Sequence, residues 1–200
     1  IYNTQFVDFI VARYSPFKVY HATEDYFSMH TRKDFRTRKL KDNLRKVLQN
    51  VNLLVAVSER VLDSYKSNCT YCGDAIVVSN GCDYGFWGLK ESEINKVLSV
   101  EGKKIAFYQG GINYRLDYDL LLNLVNMMPE WEFWFCGRVG GNPVGWAELI
   151  NQPNVKHFGE LPLEELREKS LIATVALIPF KQSPMVENSL PLKAFEYLAC

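Results

Sequence analysis

Short runs of β-branched and aromatic residues alternate with longer amphipathic stretches along this 200-residue chain. In the first half, residues 18–22, 52–57 and 75–78 have the composition of buried parallel strands. The intervening segments 37–51 and 58–67 carry apolar residues at helical spacing, and Ser58 stands where it would cap the second helix. Such alternation predicts an α/β fold.

A second series of the same kind begins at Lys104. Its predicted strands are 105–109, 132–136, 155–158 and 174–178, and its predicted helices are 117–128, 145–150, 162–169 and 191–199. A polar, charged stretch over 91–103 separates the two series and predicts a linker. We therefore predict two Rossmann-like domains, over 1–90 and 104–200, that face a cleft and bind ligands at the carboxyl ends of their strands.

The composition argues against several classes of protein. Lys plus Arg equals Asp plus Glu at 23 each, so the net charge does not indicate a nucleic-acid partner. No apolar run reaches the roughly 18 to 20 residues that span a bilayer. Scattered cysteines favour a reduced compartment, so we expect a cytoplasmic protein. The start at Ile1, without Met or a signal peptide, leads us to expect that the true N-terminus is missing.

The last thirteen residues, 188–200, predict a polar turn that opens a helix. Pro191 suits the first helical position because it has no backbone N–H to leave unpaired, and Ser189 or Leu190 would then cap the helix. Free N–H groups and the positive end of the helix dipole favour a phosphate there.

Lys193 and Glu196 lie three residues apart in this helix and therefore share a face near its amino end. The Lys193 cation, which could bind a diphosphate, would then lie beside the Glu196 carboxylate, which could accept from sugar hydroxyls.

The same segment resembles the donor-binding signature of GT-B nucleotide-sugar glycosyltransferases, specifically the large retaining group-one family. The likeness consists of Leu-Ile-Pro-Phe at 177–180, a polar stretch around Glu187, and Pro-Leu-Lys-Ala-Phe-Glu-Tyr-Leu-Ala at 191–199. It implies an acceptor-binding first domain and a second domain that binds the activated sugar. The family's signature continues beyond the position of Cys200, so we expect both domains to be incomplete in this chain.

The family places two glutamates eight residues apart. Glu196 matches the second, which the resemblance implies binds the nucleotide ribose. Asn188 stands at the first position, which contacts the donor sugar, whereas Glu187 lies nine residues before Glu196. Glu187 and Asn188 both remain candidates for binding a hydroxyl. Glu187 is also a candidate catalytic residue.

Gly110 and Gly111 follow the predicted strand 105–109, and glycines let a backbone approach a phosphate closely. Arg115 offers a planar fork of donors to such a phosphate. The resemblance implies a diphosphate-binding turn here, with an arginine and then a lysine. This chain lacks that lysine, and Lys193 is a candidate to replace it.

The family resemblance implies that two further turns line the predicted nucleotide site. Gly137 and Arg138 follow strand 132–136 and would line the nucleotide, although a plain turn and a solvated arginine explain them equally. Glu160 and Leu161 would surround the nucleobase through their main chain. A glutamate near a helix start is also favoured by the helix dipole alone.

His21 ends the strand 18–22, and Glu24 and Asp25 follow it. A histidine at a strand's carboxyl end could orient or deprotonate an acceptor hydroxyl. A histidine bonded within its own loop is the alternative.

The stretch 31–46 carries eight basic and two acidic residues, an excess of eight minus two, or six, positive charges. It could contact an anionic membrane that holds a lipid-linked acceptor, or it could be a solvated helix face.

The resulting hypothesis is transfer of a sugar from a nucleoside diphosphate donor to a glycan or lipid-linked hydroxyl acceptor, with retention. We expect no metal and no cofactor, because the family generally needs no divalent ion and Asp117-Tyr-Asp119 fits a helix cap better than a metal motif. A sugar-nucleotide 2-epimerase of the same fold and a non-catalytic nucleotide-binding module remain alternatives.

Overall fold

The computed structural model describes residues 17–29, 35–71, 73–99, 102 and 104–200. Residues 31–34 of the predicted basic stretch and residues 100, 101 and 103 of the predicted linker lie outside these ranges. The chain divides into two compact units. The first contains the described residues up to Asn80 and Gln182–Pro191, and the second contains Gly81–Lys181 and Leu192–Cys200.

The helices and strands alternate along the described residues. They are, in order, β1 (Val19–Ala22), α1 (Tyr26–Met29), α2 (Phe35–Leu48), β2 (Leu53–Ala56), α3 (Glu59–Asn68), β3 (Asp74–Val77), α4 (Tyr84–Trp87), α5 (Ile94–Leu98), β4 (Ile105–Gln109), α6 (Tyr118–Met127), β5 (Glu132–Cys136), α7 (Trp146–Ile150), β6 (Val155–His157), α8 (Leu163–Leu171), β7 (Val175–Ala176), α9 (Pro184–Asn188) and α10 (Leu192–Ala199). A short 3₁₀ helix, Glu91–Glu93, precedes α5.

In the first unit, the described strands form a parallel sheet in the order β1-β2-β3. Apolar residues of α2 and α3, among them Leu44 and Val61, are buried in the core beside Tyr20 of β1. Helix α3 begins where the sequence predicts, because the Ser58 hydroxyl accepts a hydrogen bond from the backbone N–H of Val61 at 3.2 Å.

In the second unit, the described strands form a parallel sheet in the order β6-β5-β4-β7. All five residues of β4 are buried, so this strand lies at the centre of the sheet. Sequence order reverses on either side of β4, which is the arrangement of a Rossmann half with its ligand crevice at the carboxyl ends of the strands. The predicted α/β class is confirmed, and β4 and β5 have the predicted bounds.

Part of the predicted linker is helical and packs within the second unit. The Glu93 carboxylate accepts hydrogen bonds from both terminal nitrogens of Arg167 on α8, at 2.6 and 2.7 Å. Arg167 is 6% exposed and also donates to the carbonyl oxygen of Gly88 at 2.7 Å. The described residues of 91–103 thus belong to the same compact unit as α8. The predicted domain bounds stay a prediction.

Helix α9 occupies the stretch around Glu187, for which the sequence predicts only a polar segment. Its N-cap is Ser183, whose hydroxyl accepts from the N–H of Val186 at 3.2 Å, and Pro184 occupies the first turn. The helix packs on α1 within the first unit. Nowhere in the described residues is a helix both long and apolar enough to cross a membrane.

The Arg167–Glu93 pair predicts a pH-dependent contribution to stability. The hydrogen bonds from Arg167 lower the pKa of Glu93 from 4.5 to about 2. The stabilisation is therefore complete above about pH 4.5 and is lost as the pH falls towards 2. Glu93→Gln should lower the free energy of unfolding by about 1–3 kcal/mol near pH 7.

Chemical denaturation at several pH values measures this effect. The difference between wild type and Glu93→Gln should shrink as the pH falls below 4.5, because the wild-type carboxylate also becomes neutral. Glu91→Gln, at an exposed position of the same 3₁₀ helix, is the matched control and should match wild type. A Glu93→Gln effect that stays constant down to pH 2 would contradict the assignment.

Candidate functional site

Two glycine turns meet at the carboxyl edge of the second unit's sheet. Gly110 follows β4 with φ +130°, and Gly137 follows β5 with φ +142°. The N–H of Gly110 donates to the carbonyl of Cys136 at 2.9 Å, and a Cβ at Gly137 would overlap the carbonyl oxygen of Gly110. Only glycine fits both the close approach and the backbone conformation.

The two turns and the segment after β6 line an open cleft of about 320 Å³. Its lining consists of Gly110, Gly111, Cys136, Gly137, Arg138, Glu160, Leu161 and Leu166. The structure thus brings together residues of three separate turns, each of which is predicted to line the nucleotide. The side chains of Arg138 and Glu160 are exposed at this edge, and Leu161 is half-buried.

Lys193 extends from α10 towards the first glycine turn. Its Nζ lies 4.8 Å from the ring centre of Tyr108 and 4.7 Å from that of Phe180. A Cβ at Gly110 would lie 2.8 Å from this nitrogen. The pKa of Lys193 is lowered to about 8, chiefly by burial, against which the charge of Glu196 acts and to which the charge of Arg115 adds. Two predicted phosphate-binding cations therefore interact electrostatically beside the turn.

Glu196 lies on the same helix and is held by the end of β4. The Nε2 of Gln109 donates to a Glu196 carboxylate oxygen, and the backbone N–H of Gln109 donates to the Tyr197 hydroxyl at 2.9 Å. Burial raises the pKa of Glu196, although the bond from Gln109 and the charge of Lys193 act against that rise. The predicted pairing of a cation with a carboxylate on one helix is present in the structure.

The remaining candidates belong to the first unit. His21 is half-buried on β1, opposite Val55 of β2. Glu187 of α9 has an exposed side chain, and its carbonyl accepts from Arg60 at 3.1 Å. These positions leave the proposed catalytic roles of His21 and Glu187 as predictions.

The polar turn after α9 is fixed by hydrogen bonds within the first unit. The Ser189 hydroxyl donates to the carbonyl of Val186 at 2.9 Å, and the Leu190 carbonyl accepts from the Asn80 side chain at 2.6 Å. Pro191 is the last residue of this unit and directly precedes α10. Donor binding by Ser189, Leu190 and Pro191 stays a prediction.

Asn188 is held by Asp25, a fully buried carboxylate. Its Nδ2 donates to one oxygen of Asp25 at 2.8 Å, while the Ser64 hydroxyl donates to the other oxygen at 2.8 Å. Burial alone would raise the pKa of Asp25, but the hydrogen bonds from Ser28, Asn188 and Ser64 lower it overall. This network anchors α9 to the first unit and gives Asn188 a structural partner.

Sequence reasoning missed Gln109 and Tyr197, which hold the Glu196 side of the site. One signal was available for Gln109, because a polar residue ends an otherwise apolar strand directly before Gly-Gly. Tyr197 had no such signal, since an aromatic residue at helical spacing is more simply explained as core.

Comparison with known proteins gives one curated relative at low identity. No protein-family model matches the chain. A Bacillus subtilis (strain 168) protein named "Putative teichuronic acid biosynthesis glycosyltransferase TuaH" is 25% identical over 169 residues, covering 83% of this chain and 43% of TuaH. The chain thus spans less than half the length of this relative.

Solved structures share the fold over most of the chain. Sucrose-phosphate synthase from Thermosynechococcus elongatus has a TM-score of 0.68 at 16% identity, covering 91% of this chain and 48% of its own. HepE from Anabaena, solved with UDP-glucose, has a TM-score of 0.56 at 18% identity, covering 79% and 45%. These comparisons confirm the resemblance: the chain has the fold of GT-B glycosyltransferases.

The glycine turns predict a sharp difference between neighbouring substitutions. Gly137→Ala should lower the melting temperature, because its Cβ would displace the Gly110 turn and its φ is unfavourable for alanine. Gly140→Ala is the matched control, since its Cβ would meet nothing within 4 Å. It should change the free energy of unfolding by less than about 0.5 kcal/mol. Equal thermal-denaturation curves for both variants would contradict this packing.

Proposed function

We propose that this protein is a glycosyltransferase that moves a sugar from a nucleoside diphosphate donor to a hydroxyl acceptor. The observation that carries the proposal is the meeting of the glycine turns, Lys193 and Glu196 at the carboxyl edge of one parallel sheet. The named activity of TuaH and the UDP and UDP-glucose complexes of HepE support it.

The proposed chemistry places positive charge where negative charge develops. When the bond between the sugar C1 and the diphosphate oxygen breaks, its electrons pass to the leaving diphosphate. Lys193 and Arg115 would stabilise that charge more strongly in the transition state than in the bound donor. The acceptor oxygen forms the new bond to C1 and loses its proton to a base, for which His21 is the candidate.

We include retention of the anomeric configuration and independence from metal ions in the proposal. The motif at 177–199 resembles that of a retaining family, and Lys193 and Arg115 offer fixed cations for the diphosphate. The anomeric proton signals of the product test the first point. Undiminished activity in excess EDTA tests the second.

The acceptor in this proposal is a glycan or a lipid-linked glycan, and the protein works in the cytoplasm. Helix α2 exposes Arg36, Arg38, Lys39 and Lys46, which are suited to an anionic membrane surface. Peripheral contact through 31–46 is part of the proposal.

Incubation of the full-length protein with nucleoside diphosphate sugars separates the candidate functions. A glycosyltransferase releases nucleoside diphosphate and forms a new glycoside. An epimerase converts the sugar nucleotide into an isomer, and a binding module leaves it unchanged while still binding it. The proposal predicts release of the diphosphate together with transfer to an added acceptor.

Substitution of the two α10 side chains tests the donor site. Lys193→Ala and Glu196→Ala should each abolish the rise in melting temperature that the bound nucleoside diphosphate produces, because the first removes a phosphate partner and the second a hydroxyl partner. Lys104→Ala at the amino end of β4 and Glu148→Ala on α7 are the matched controls. Unchanged shifts in both α10 variants would refute the assignment of this helix.

The lowered pKa of Lys193 predicts pH-dependent donor binding. The side chain is cationic below its pKa of about 8 and becomes neutral above it, while a bound diphosphate favours the charged form. The dissociation constant should therefore rise about tenfold per pH unit above pH 8.5.

Isothermal titration calorimetry between pH 7.5 and 9.5 measures this dependence. Lys193→Arg is the matched variant, because a guanidinium does not titrate in this range. It should bind with little dependence on pH. The same steep slope in both proteins would show that another group is responsible.

A further inference from the structure

The carboxyl ends of α2 and α3 in the first unit border an open cleft of about 590 Å³. The segment that leads from α3 to the amino end of β3 forms the rest of its lining. The cleft therefore lies at the amino edge of this parallel sheet, whereas His21 lies near the carboxyl end of β1. Volumes of this order are typical of small-molecule sites.

The lining of this cleft is positively charged. It includes Arg45 and Lys66 and contains no carboxylate. Lys66 is exposed and forms no ion pair with any residue that the structure describes. Burial raises the pKa of the Cys69 thiol, although the charge of Arg45 acts against that rise, so this lining residue stays neutral near pH 7. The cleft thus favours an anion.

Arg45 is held in position before any ligand arrives. Its Nε donates to the carbonyl of Asn68 at 3.0 Å, and its Nη1 donates to the Asp42 carboxylate at 2.9 Å. The guanidinium carbon also lies 5.7 Å from the ring centre of Phe27. These contacts leave Nη2 without a hydrogen-bond partner in the described part of the chain. A fixed guanidinium loses little entropy when it binds a phosphate.

Neutral donors lie beside the two cations. The side chains of Gln49, Ser67 and Thr70 line the cleft and make no hydrogen bond to other described residues. A hydroxyl or an amide can donate to an oxyanion, and such bonds are stronger than those between neutral groups. Stabilisation of the end of α3 accounts for Arg45 alone and does not require Lys66 or these three donors.

We propose that this basic cleft binds the phosphoryl group of a phosphate ester, with Arg45 and Lys66 as its cationic partners and Ser67 as a neutral donor. The volume leaves room for the organic part of the ester. A lipid headgroup and a soluble phosphate ester share this chemistry. The inference does not depend on the proposed function, since it uses neither Lys193 nor Glu196.

Calorimetry with the full-length protein and glycerol 3-phosphate, at constant ionic strength, tests the soluble source. Wild type should bind with a dissociation constant below about 10 mM. Lys66→Gln should raise this constant about fivefold, because it removes one charge from a partly exposed pair. Ser67→Ala leaves the charge unchanged and should raise it about threefold through the lost hydrogen bond.

Cosedimentation with vesicles of phosphatidylcholine and phosphatidic acid tests the lipid source with the same variants. If the ligand is a headgroup, Lys66→Gln and Ser67→Ala should both weaken vesicle binding. Ser67→Ala is the decisive variant here, because diffuse attraction between a basic surface and an anionic membrane does not depend on a hydroxyl. Lys104→Gln, which removes one positive charge from the second unit, is the matched control and should bind as wild type does.

Weaker binding of either probe by both Lys66→Gln and Ser67→Ala, with wild-type binding by Lys104→Gln, would support the inference. Equal binding of both probes by wild type and Lys66→Gln would overturn it. An effect of Lys66→Gln without one of Ser67→Ala would also overturn it, since that pattern indicates diffuse attraction. Binding that only Lys193→Ala removes would assign the phosphate to the donor site and overturn the inference while leaving the proposed function intact.

Discussion

The packing of α10 against the carboxyl end of β4 is the contact on which the candidate site of the second unit depends. Gln109 binds this helix through both its side chain and its backbone, and Lys193 lies against the ring of Tyr108. The absence of a side chain at Gly110 leaves room for the lysine nitrogen. The strand thus supplies the glycine turn and the helix supplies the charges, so neither element forms the site alone.

Partial burial disfavours the charged form of both ionisable groups of α10. Loss of water lowers the pKa of Lys193 to about 8 and raises that of Glu196. A ligand with a diphosphate and neighbouring hydroxyls would offer an anion to the lysine and hydrogen-bond donors to the carboxylate. This complementarity is the physical reason to propose a nucleoside diphosphate here and not a neutral or purely apolar ligand.

Features that depend on local chemistry could be predicted from the sequence. The strands β4 and β5 are apolar runs with one polar residue at an end, and their bounds agree with the prediction. The caps Ser58 and Asp117 were also predictable, because each side chain accepts from a backbone N–H three residues later. The Lys193–Glu196 pair follows from helical spacing, whereas the glycine turns are assigned to the site through the family resemblance. The structure places the Lys193 nitrogen beside the Gly110 turn.

Features that depend on distant contacts could not be predicted. Residues 182–191 belong to the first unit, where Asn188 binds Asp25 across 163 positions of sequence. The sequence of the 3₁₀ helix Glu91–Glu93 is polar and charged, which is typical of a linker. The helix packs in the second unit through the bond between Glu93 and the distant Arg167. The polar residue before Gly-Gly marks Gln109 as unusual, but its partner Glu196 lies 87 residues away and could not be read from that position.

A crystal structure of the full-length protein with its tightest-binding nucleoside diphosphate is the most direct test of the account. We expect a diphosphate oxygen about 3 Å from the Nζ of Lys193 and a ribose hydroxyl at a similar distance from the Glu196 carboxylate. A nucleotide bound elsewhere, with Lys193 and Glu196 in their present contacts, would contradict it.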